Sequence, residues 1–450
     1  MVTAKAQVRT KVRRCPSGCS KHIRVRLLLD ACLCPPTVRA TRPLPAGLRR
    51  RTIHHSRHNH ACLIVFLCPR RFSAPGLAGR RYTDLSRHDP SRRGADPRRT
   101  QAHLPFLRRR RTELRLHEGR AEAAARVGGP DTAGDGGKFV EDFLEHCLRG
   151  KNHATGQTGT PLDFIAFHAK GSTPVFLDGH VRMGIGGQLK TIDAGFARVA
   201  RYPELKGKPV IIGESDPDGC AACQGPHLGY RNSTMYSSYT AASFARKHLL
   251  AGKHGVNFEG ATTWAFEFED QPYFAGFRAM ASNGLTLPVF NVHRMMARMT
   301  GQRVETRSSA DVGVDEIIKS GVRAGPDVAA LASLDAAKRQ LAVLIWHYHD
   351  DDVAGADAAV ALSLAGLPSE AAQPRVTHYR VDERHSNAYA LWKTLGSPVA
   401  PSRAQYAQLE AASRLALLNN AATATTLANG GHTLTFTLPR QAVSLVLLNW

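Results

Sequence analysis

From about residue 121 onward, apolar positions alternate between two rhythms. Short unbroken apolar runs stopped by turn residues read as strands buried in a parallel sheet. Apolar positions three and four apart read as the inner faces of helices. Arg126-Val127-Gly128-Gly129-Pro130 is a strand ending in a tight turn, and Phe139, Phe143, Leu144, Cys147 and Leu148 share a helical face that Gly150 closes. Residues 162–168 are the next strand, and Leu189, Ile192, Phe196 and Val199 mark the next helix. Pro209-Val210-Ile211-Ile212 then runs into Gly213 and Glu214, and Ser215-Asp216-Pro217 turns the chain. A helix over about 236–250 ended by Gly252, a strand over 261–266 and a helix over about 287–299 complete four strand–helix units. Repetition of this kind predicts a parallel α/β sheet. Four units fit half of a (β/α)8 barrel of TIM type, whose usual length is ~250 residues.

After about residue 305 the rhythm changes to strands alone: 329–334, 341–349, 359–364, 376–381, 432–438 and 442–448, with a helical stretch around 406–417. This predicts an antiparallel β-sandwich. The expected division is therefore 1–118, 119–304 (the C-terminal half of a catalytic barrel) and 305–450 (an accessory sandwich). An open nucleotide-binding sheet would carry a glycine-rich phosphate loop after its first strand. Gly134-Asp135-Gly136-Gly137-Lys138 lacks that spacing.

Charge separates the first segment from the rest. Residues 1–120 hold 29 of the 60 basic and 6 of the 37 acidic residues, so the whole net charge of +23 lies there. The remainder is neutral, which removes nucleic acid as a partner of the ordered part. Between Lys21 and residue 120 there is arginine but no lysine, together with six of the nine cysteines (Cys15, Cys19, Cys32, Cys34, Cys62 and Cys68) and no sustained periodicity. GC-rich DNA read out of frame encodes such a mixture, so residues 1–118 are expected to be a mistranslated start. The rival reading is a disordered arginine-rich arm that binds polyanions in a salt-dependent way. No apolar segment followed by a small-residue cleavage site succeeds the basic start, and residues 61–68 fall far short of the ~20 needed to span a bilayer. Cytoplasmic placement without a membrane is the default expectation. Cys147, Cys220 and Cys223 are too sparse to suggest a disulfide scaffold.

Candidate chemistry gathers at strand ends. A polar residue at the C-terminal end of a barrel strand faces the active-site mouth, which makes Glu214 a candidate nucleophile or base. His168 and Lys170, two apart, point to one side, and Lys170 has three donors for sugar hydroxyls. His168 is expected to orient a neighbour rather than to catalyse. Trp264, taken to lie on the fourth strand, offers a flat apolar platform, with Glu267, Glu269 and Asp270 behind it and Phe274, Phe277 and Arg278 at a pocket edge. Cys220-Ala221-Ala222-Cys223 lacks the four ligands of a zinc site and reads as a structural loop. Trp346-His347-Tyr348-His349-Asp350-Asp351-Asp352 reads as a strand entering an acidic turn rather than as a metal site.

Several of these segments, taken in order, resemble glycoside hydrolase family 39, the family of β-xylosidases and α-L-iduronidase. They are Arg126-Val127-Gly128-Gly129-Pro130, Phe164-Ile165-Ala166-Phe167-His168-Ala169-Lys170-Gly171, Ile212-Gly213-Glu214-Ser215-Asp216-Pro217 and Thr263-Trp264-Ala265-Phe266-Glu267-Phe268-Glu269-Asp270, with Val376-Thr377-His378-Tyr379-Arg380 and His385-Ser386-Asn387-Ala388-Tyr389 later. The bacterial β-xylosidase branch fits better. The resemblance covers about 121–450 and implies a barrel that hydrolyses glycosides with retention, needing neither cofactor nor metal. It makes Glu214 the nucleophile and Lys170 a substrate contact, with a xylo-oligosaccharide or other β-glycoside as substrate; His168, Trp264, Glu269 and Phe277 stand beside them as substrate-binding candidates from the residues alone. Retention also needs a second carboxyl group about 5 Å from the first. The family carries it as Asn-Glu-Pro on strand four, and that tripeptide does not occur in this chain. Glu113 and Glu118, the only glutamates before residue 120, sit at no strand end, so catalysis is expected to be impaired. A carbohydrate-binding protein without turnover is the competing expectation.

Overall fold

The computed structural model describes residues 24–29, 126–418, 425–426 and 431–450. Glu113, Glu118 and the six early cysteines lie outside the described residues.

Two sheets organise the molecule. The first is built from β2 (Gly128–Thr132), β3 (Phe164–Phe167), β6 (Pro209–Ile212) and β7 (Asn257–Ala261), each parallel to the next in the order β2-β3-β6-β7. Helices α1 (Gly137–Arg149), α2 (Ile185–Ala200), α3 (Thr234–His254) and α4 (Pro288–Met296) follow these strands in turn, as the periodicity requires. A hairpin of β4 (Val175–Leu177) and β5 (His180–Arg182) precedes α2, and another of β8 (Ala281–Ser282) and β9 (Leu285–Thr286) precedes α4. All four residues of β3 are buried, the signature of a strand covered on both faces. Among the described residues no strand pairs with the outer edge of β2 or of β7.

The helix ends correct two expectations. Helix α3 starts where the Ser233 hydroxyl accepts the Met235 N–H and ends at Gly255, whose φ of 64° glycine adopts without steric cost. Gly252 therefore lies inside the helix. Gly150 closes α1 in an extended conformation rather than a left-handed one.

The second sheet has ten strands. Beside β1 (Arg24–Leu29) they are β10 (Gln302–Ser308), β11 (Asp327–Asp335), β12 (Gln340–Tyr348), β13 (Ala358–Ala365), β14 (Arg375–Val381), β15 (Ala416–Leu417), β16 (Thr425–Thr426), β17 (His432–Leu438) and β18 (Val443–Asn449). Their order is β15-β14-β18-β12-β11-β10-β1-β13-β17-β16. Helix α5 (Val314–Ser320) joins β10 to β11, while α6 (Ala388–Thr394) and α7 (Arg403–Ser413) join β14 to β15. A Ser402–Gln405 capping box starts α7, and the Asn387 side chain caps α6.

The expected sandwich strands occur where the pattern placed them, with four strands more and a different setting. The added strands are β10, the two-residue β15 and β16, and β1, the last inside the segment read as irregular. Its alternation turns Val25 and Leu27 inward, and it pairs parallel to β10 and antiparallel to β13. The setting differs because β12 and β18 are buried on both faces. Leu341, Val343 and Ile345 enter one core with Val25, Leu27, Leu362 and Leu434. Ala342, Leu344, Trp346 and Tyr348 enter the other core with α3 and the parallel sheet. Alternation with a period of two lets one strand serve both cores. No helix among the described residues is long and apolar enough to cross a membrane.

Burial also stores a pH sensitivity. His378 lies in β14 with its Nε2 2.9 Å from Ser444 Oγ, and burial, reinforced by Arg380 and His385, pulls its pKa down to about 3. Burial likewise pulls His248 and His293 down to about 4. The unfolded chain takes up these protons near pH ~6.5 and the folded chain only near 3–4, so stability falls as pH drops through that window. The thermal midpoint is expected to decline steadily from pH 6.5 to 4.5, and less steeply in His378→Gln. A flat profile in the unsubstituted chain contradicts this.

Candidate active site

The C-terminal ends of the four parallel strands converge, and backbone bonds prolong the ladder beyond them. His168 N–H donates to Thr132 O, Ala169 N–H to Glu214 O, Gly171 N–H to Asp216 O, and Ser215 N–H to Thr262 O. Glu214 thus follows Ile212 by two residues on an extended, fixed backbone. Its side chain is about a quarter exposed. Lys170 Nζ forms a close ion pair with Glu214 Oε2. His168 Nδ1 stands 3.6 Å from the same oxygen, and its Nε2 stands 3.4 Å from Asp131 Oδ2. Glu214, Lys170 and His168 are brought together as the spacing indicated, with Asp131 as an unanticipated fourth member.

Two glycines make this convergence possible. A Cβ on Gly213 would lie 1.8 Å from Asp131 Oδ1, so the carboxylate of Asp131 fills the space of the missing side chain. A Cβ on Gly171 would lie 2.1 Å from Pro217 O, where two loop backbones meet.

Beneath Glu214 lies a buried charge network. Asp216 and Asp218 continue the alternation begun by Glu214, and both are buried. Arg278 Nη1 lies 2.5 Å from Asp216 Oδ1, and its Nε lies 3.6 Å from Asp218 Oδ1. Burial, the largest influence on Arg278, lowers its pKa, but Asp216, Tyr236 and Asp218 outweigh it and hold the guanidinium charged. Arg231 donates to both oxygens of Asp218 and to the carbonyls of Cys220, Ala221, Cys223 and Gly276. Buried charges persist only when paired and hydrogen-bonded, and here both terminal nitrogens of the guanidinium are engaged while Nε has no partner among the described residues. Cys220 and Cys223 are joined in a disulfide, so this loop is a cross-linked carbonyl cage, a pairing the sparse cysteine usage did not suggest.

The same network moves Trp264. Strand β7 stops at Ala261, because Asp216 Oδ1 accepts the Thr263 hydroxyl and the Trp264 N–H and draws the chain off the ladder. The Trp264 carbonyl accepts from Arg278. Trp264 is therefore on the loop after the strand, not on it, and its indole is half exposed. Phe268 packs edge-on to Trp264 and stacks on Phe277, which gives an aromatic rim. Glu269 is exposed, and its carbonyl accepts the Gln271 side-chain amide. Glu267 accepts the Gly284 N–H instead of facing the site. Phe274 is buried against Tyr389 and Trp392, and Arg278 lies under the site, so neither forms the pocket edge expected of them. His349 to Asp352 form the acidic turn, with Asp350 accepting from Tyr348 Oη and Asp351 bound by Arg182.

Sequence reasoning missed Asp131, Asp216, Asp218, Arg231 and Arg278 as partners. Only the acidic spacing 214-216-218 signalled them. The fit of Asp131 under Gly213 is testable. Gly213→Ala is expected to destabilise the fold by about 1–3 kcal/mol through overpacking, and Gly213→Ala with Asp131→Ala to recover most of the loss. Urea unfolding of the four chains of this cycle measures it, and additive losses would contradict it.

Comparison with known proteins follows the same residues. The model of the glycosyl hydrolases family 39 matches residues 117–428. Mouse α-L-iduronidase is 24% identical over 294 residues, covering 59% of this chain and 42% of the mouse protein. The dog α-L-iduronidase is 24% identical over 319 residues, covering 65% and 45%. The chain thus spans less than half the length of these curated relatives. A solved bacterial orthologue of human α-L-iduronidase superposes with a TM-score of 0.55 at 18% identity, covering 72% of this chain and 55% of that one, a likeness of fold. With the family model matching more than half of its residues, the chain belongs to family 39 of the glycosyl hydrolases.

Proposed function

We propose that the chain derives from a retaining glycosidase of β-xylosidase type, with Glu214 as the nucleophile. One observation carries the reading: the Glu214 carboxylate stands at the rim of the parallel strands, partly exposed, with Lys170 and His168 on one of its oxygens. In this reading the four strands are the second half of a (β/α)8 barrel, and the antiparallel strands form its accessory sandwich. Glu214 attacks the anomeric carbon, the bond to the leaving oxygen breaks, and water later cleaves the glycosyl ester. The ion pair with Lys170 holds the Glu214 carboxylate in place for that attack. As charge develops on the sugar ring, the ammonium is free to bind a ring hydroxyl. The exposed indole of Trp264, backed by Phe268 and Phe277, offers a face on which a pyranose stacks.

A neutral sugar fits this site. The Arg278 and Arg231 guanidiniums are buried and already paired with Asp216 and Asp218, and Lys170 pairs with Glu214. An α-L-iduronidase reading is favoured instead by the identity of the curated relatives. It needs a cation for the carboxylate of iduronate, and Lys170 would have to leave Glu214 to supply it.

Without Asn-Glu-Pro, protonation of the leaving oxygen falls to water, and the rate follows the leaving group's own basicity. Dinitrophenyl β-xyloside is therefore expected to turn over while methyl β-xyloside is slower by a further ~10²–10⁴-fold than in an enzyme with its acid. Glu214→Gly is expected to lose hydrolysis and, with azide added, to form the α-configured xylosyl azide. Steady-state assays and product NMR read both results. Equal activity in Glu214→Gly and the unsubstituted chain would remove the nucleophile assignment. Faster turnover of the corresponding iduronide would transfer the reading to the second sugar.

A further inference from the structure

A second polar site lies behind the strands, away from Glu214. A cleft of about 60 Å³ opens between α3, α4 and the ends of β6 and β7. Lys247, Ser243 and Thr240 line it from α3, His293 from α4, and Ser215 and Thr263 from the strand ends. Elsewhere this layer between helices and sheet is apolar, with Leu250, Val292 and Met295 in the same core.

Lys247 is only 4% exposed, and its ammonium has one partner, Ser243 Oγ at 2.7 Å. That hydroxyl is fixed as an acceptor because its own proton goes to Gln188 Oε1. Gln188 is in turn spent on the carbonyls of Ala169 and Asp216. Two ammonium protons are left without an acceptor among the described residues. The carboxylate acting on Lys247 is that of Asp216, and Arg278 already holds it. The His293 ring makes no hydrogen bond among the described residues and is placed so that the charge of Lys247 opposes its own. Burial pulls Lys247 down to about 7 and His293 to about 4, which marks a cavity short of negative charge.

We propose that this cleft is a binding site for a small monovalent anion of chloride size, held by the two unpartnered N–H groups of the Lys247 ammonium with the His293 ring beside it. A buried ammonium reaches neutral pH in its charged form when an opposite charge lies beside it. A metal cation is excluded by the ammonium. A dianion such as sulfate exceeds the single fixed charge. The site is independent of the hydrolase reading.

The experiment is thermal unfolding of the full chain at pH 7 and constant ionic strength as sodium chloride replaces sodium gluconate. The midpoint is expected to rise by about 2 °C for each tenfold increase of chloride above its dissociation constant. Lys247→Met, of similar volume, is expected to lose that dependence. Should this variant fail to fold, chlorine-35 NMR line broadening by the unsubstituted chain, reduced at least twofold in His293→Gln, supports the site in its place. Equal midpoints in chloride and gluconate, or broadening no greater than in buffer, overturn it.

Discussion

The Arg278 guanidinium, buried between Asp216 and Asp218, is the constraint on which the site rests. A charge taken out of water costs several kcal/mol unless its partners are well placed, and removing one partner is then more damaging than replacing the whole set. Here the partners are shared. Asp216 also takes the hydroxyl of Thr263 and the N–H of Trp264, while Asp218 also takes Arg231 and Tyr230. One electrostatic cluster therefore fixes the loop after β6 and the loop after β7 at once. Glu214 lies two residues before the first of these carboxylates and Trp264 is bonded to it, so carboxylate and aromatic rim are set by the same interaction.

Packing extends that constraint outward. Helix α3 lies in the core it shares with Trp346 of β12, and the Arg246 guanidinium stacks 4.9 Å over the indole while pairing with Asp327. Strand β12 gives its other face to the core that contains Val25, Leu362 and Leu434. The antiparallel sheet is thus the wall against which the helix behind the site is held. Loss of packing there would reach the loops that carry Glu214 and Trp264 through α3 without touching any residue in them.

Much of this was legible in the sequence. Uninterrupted apolar runs such as Phe164–Phe167 mark strands buried on both sides, and a lone carboxylate after such a run marks a strand mouth. The spacing of His168 and Lys170 put both on one side of their strand, and the fold sets that side against Glu214. What stayed hidden came from long-range partners. Nothing local tells that Arg278 and Arg231 lie under the site, because a buried arginine reads in sequence like an exposed one. Trp264 looked like a strand residue because its segment is apolar, yet a side-chain acceptor 48 positions earlier ends the strand. Strand β1 was masked by its arginines, although Arg26 is exposed while Val25 and Leu27 fill the core. Cys220 and Cys223 form a bond that spacing permits but does not require.

The central claim is that Glu214 forms the bond to the sugar. The direct measurement is incubation with dinitrophenyl 2-deoxy-2-fluoro-β-xyloside, whose glycosyl ester is slow to hydrolyse, followed by peptide mass spectrometry. The account predicts one fluoroxylosyl adduct, on the peptide that carries Glu214. An adduct on Asp131, Glu269 or any other carboxylate, with Glu214 unmodified, would contradict it.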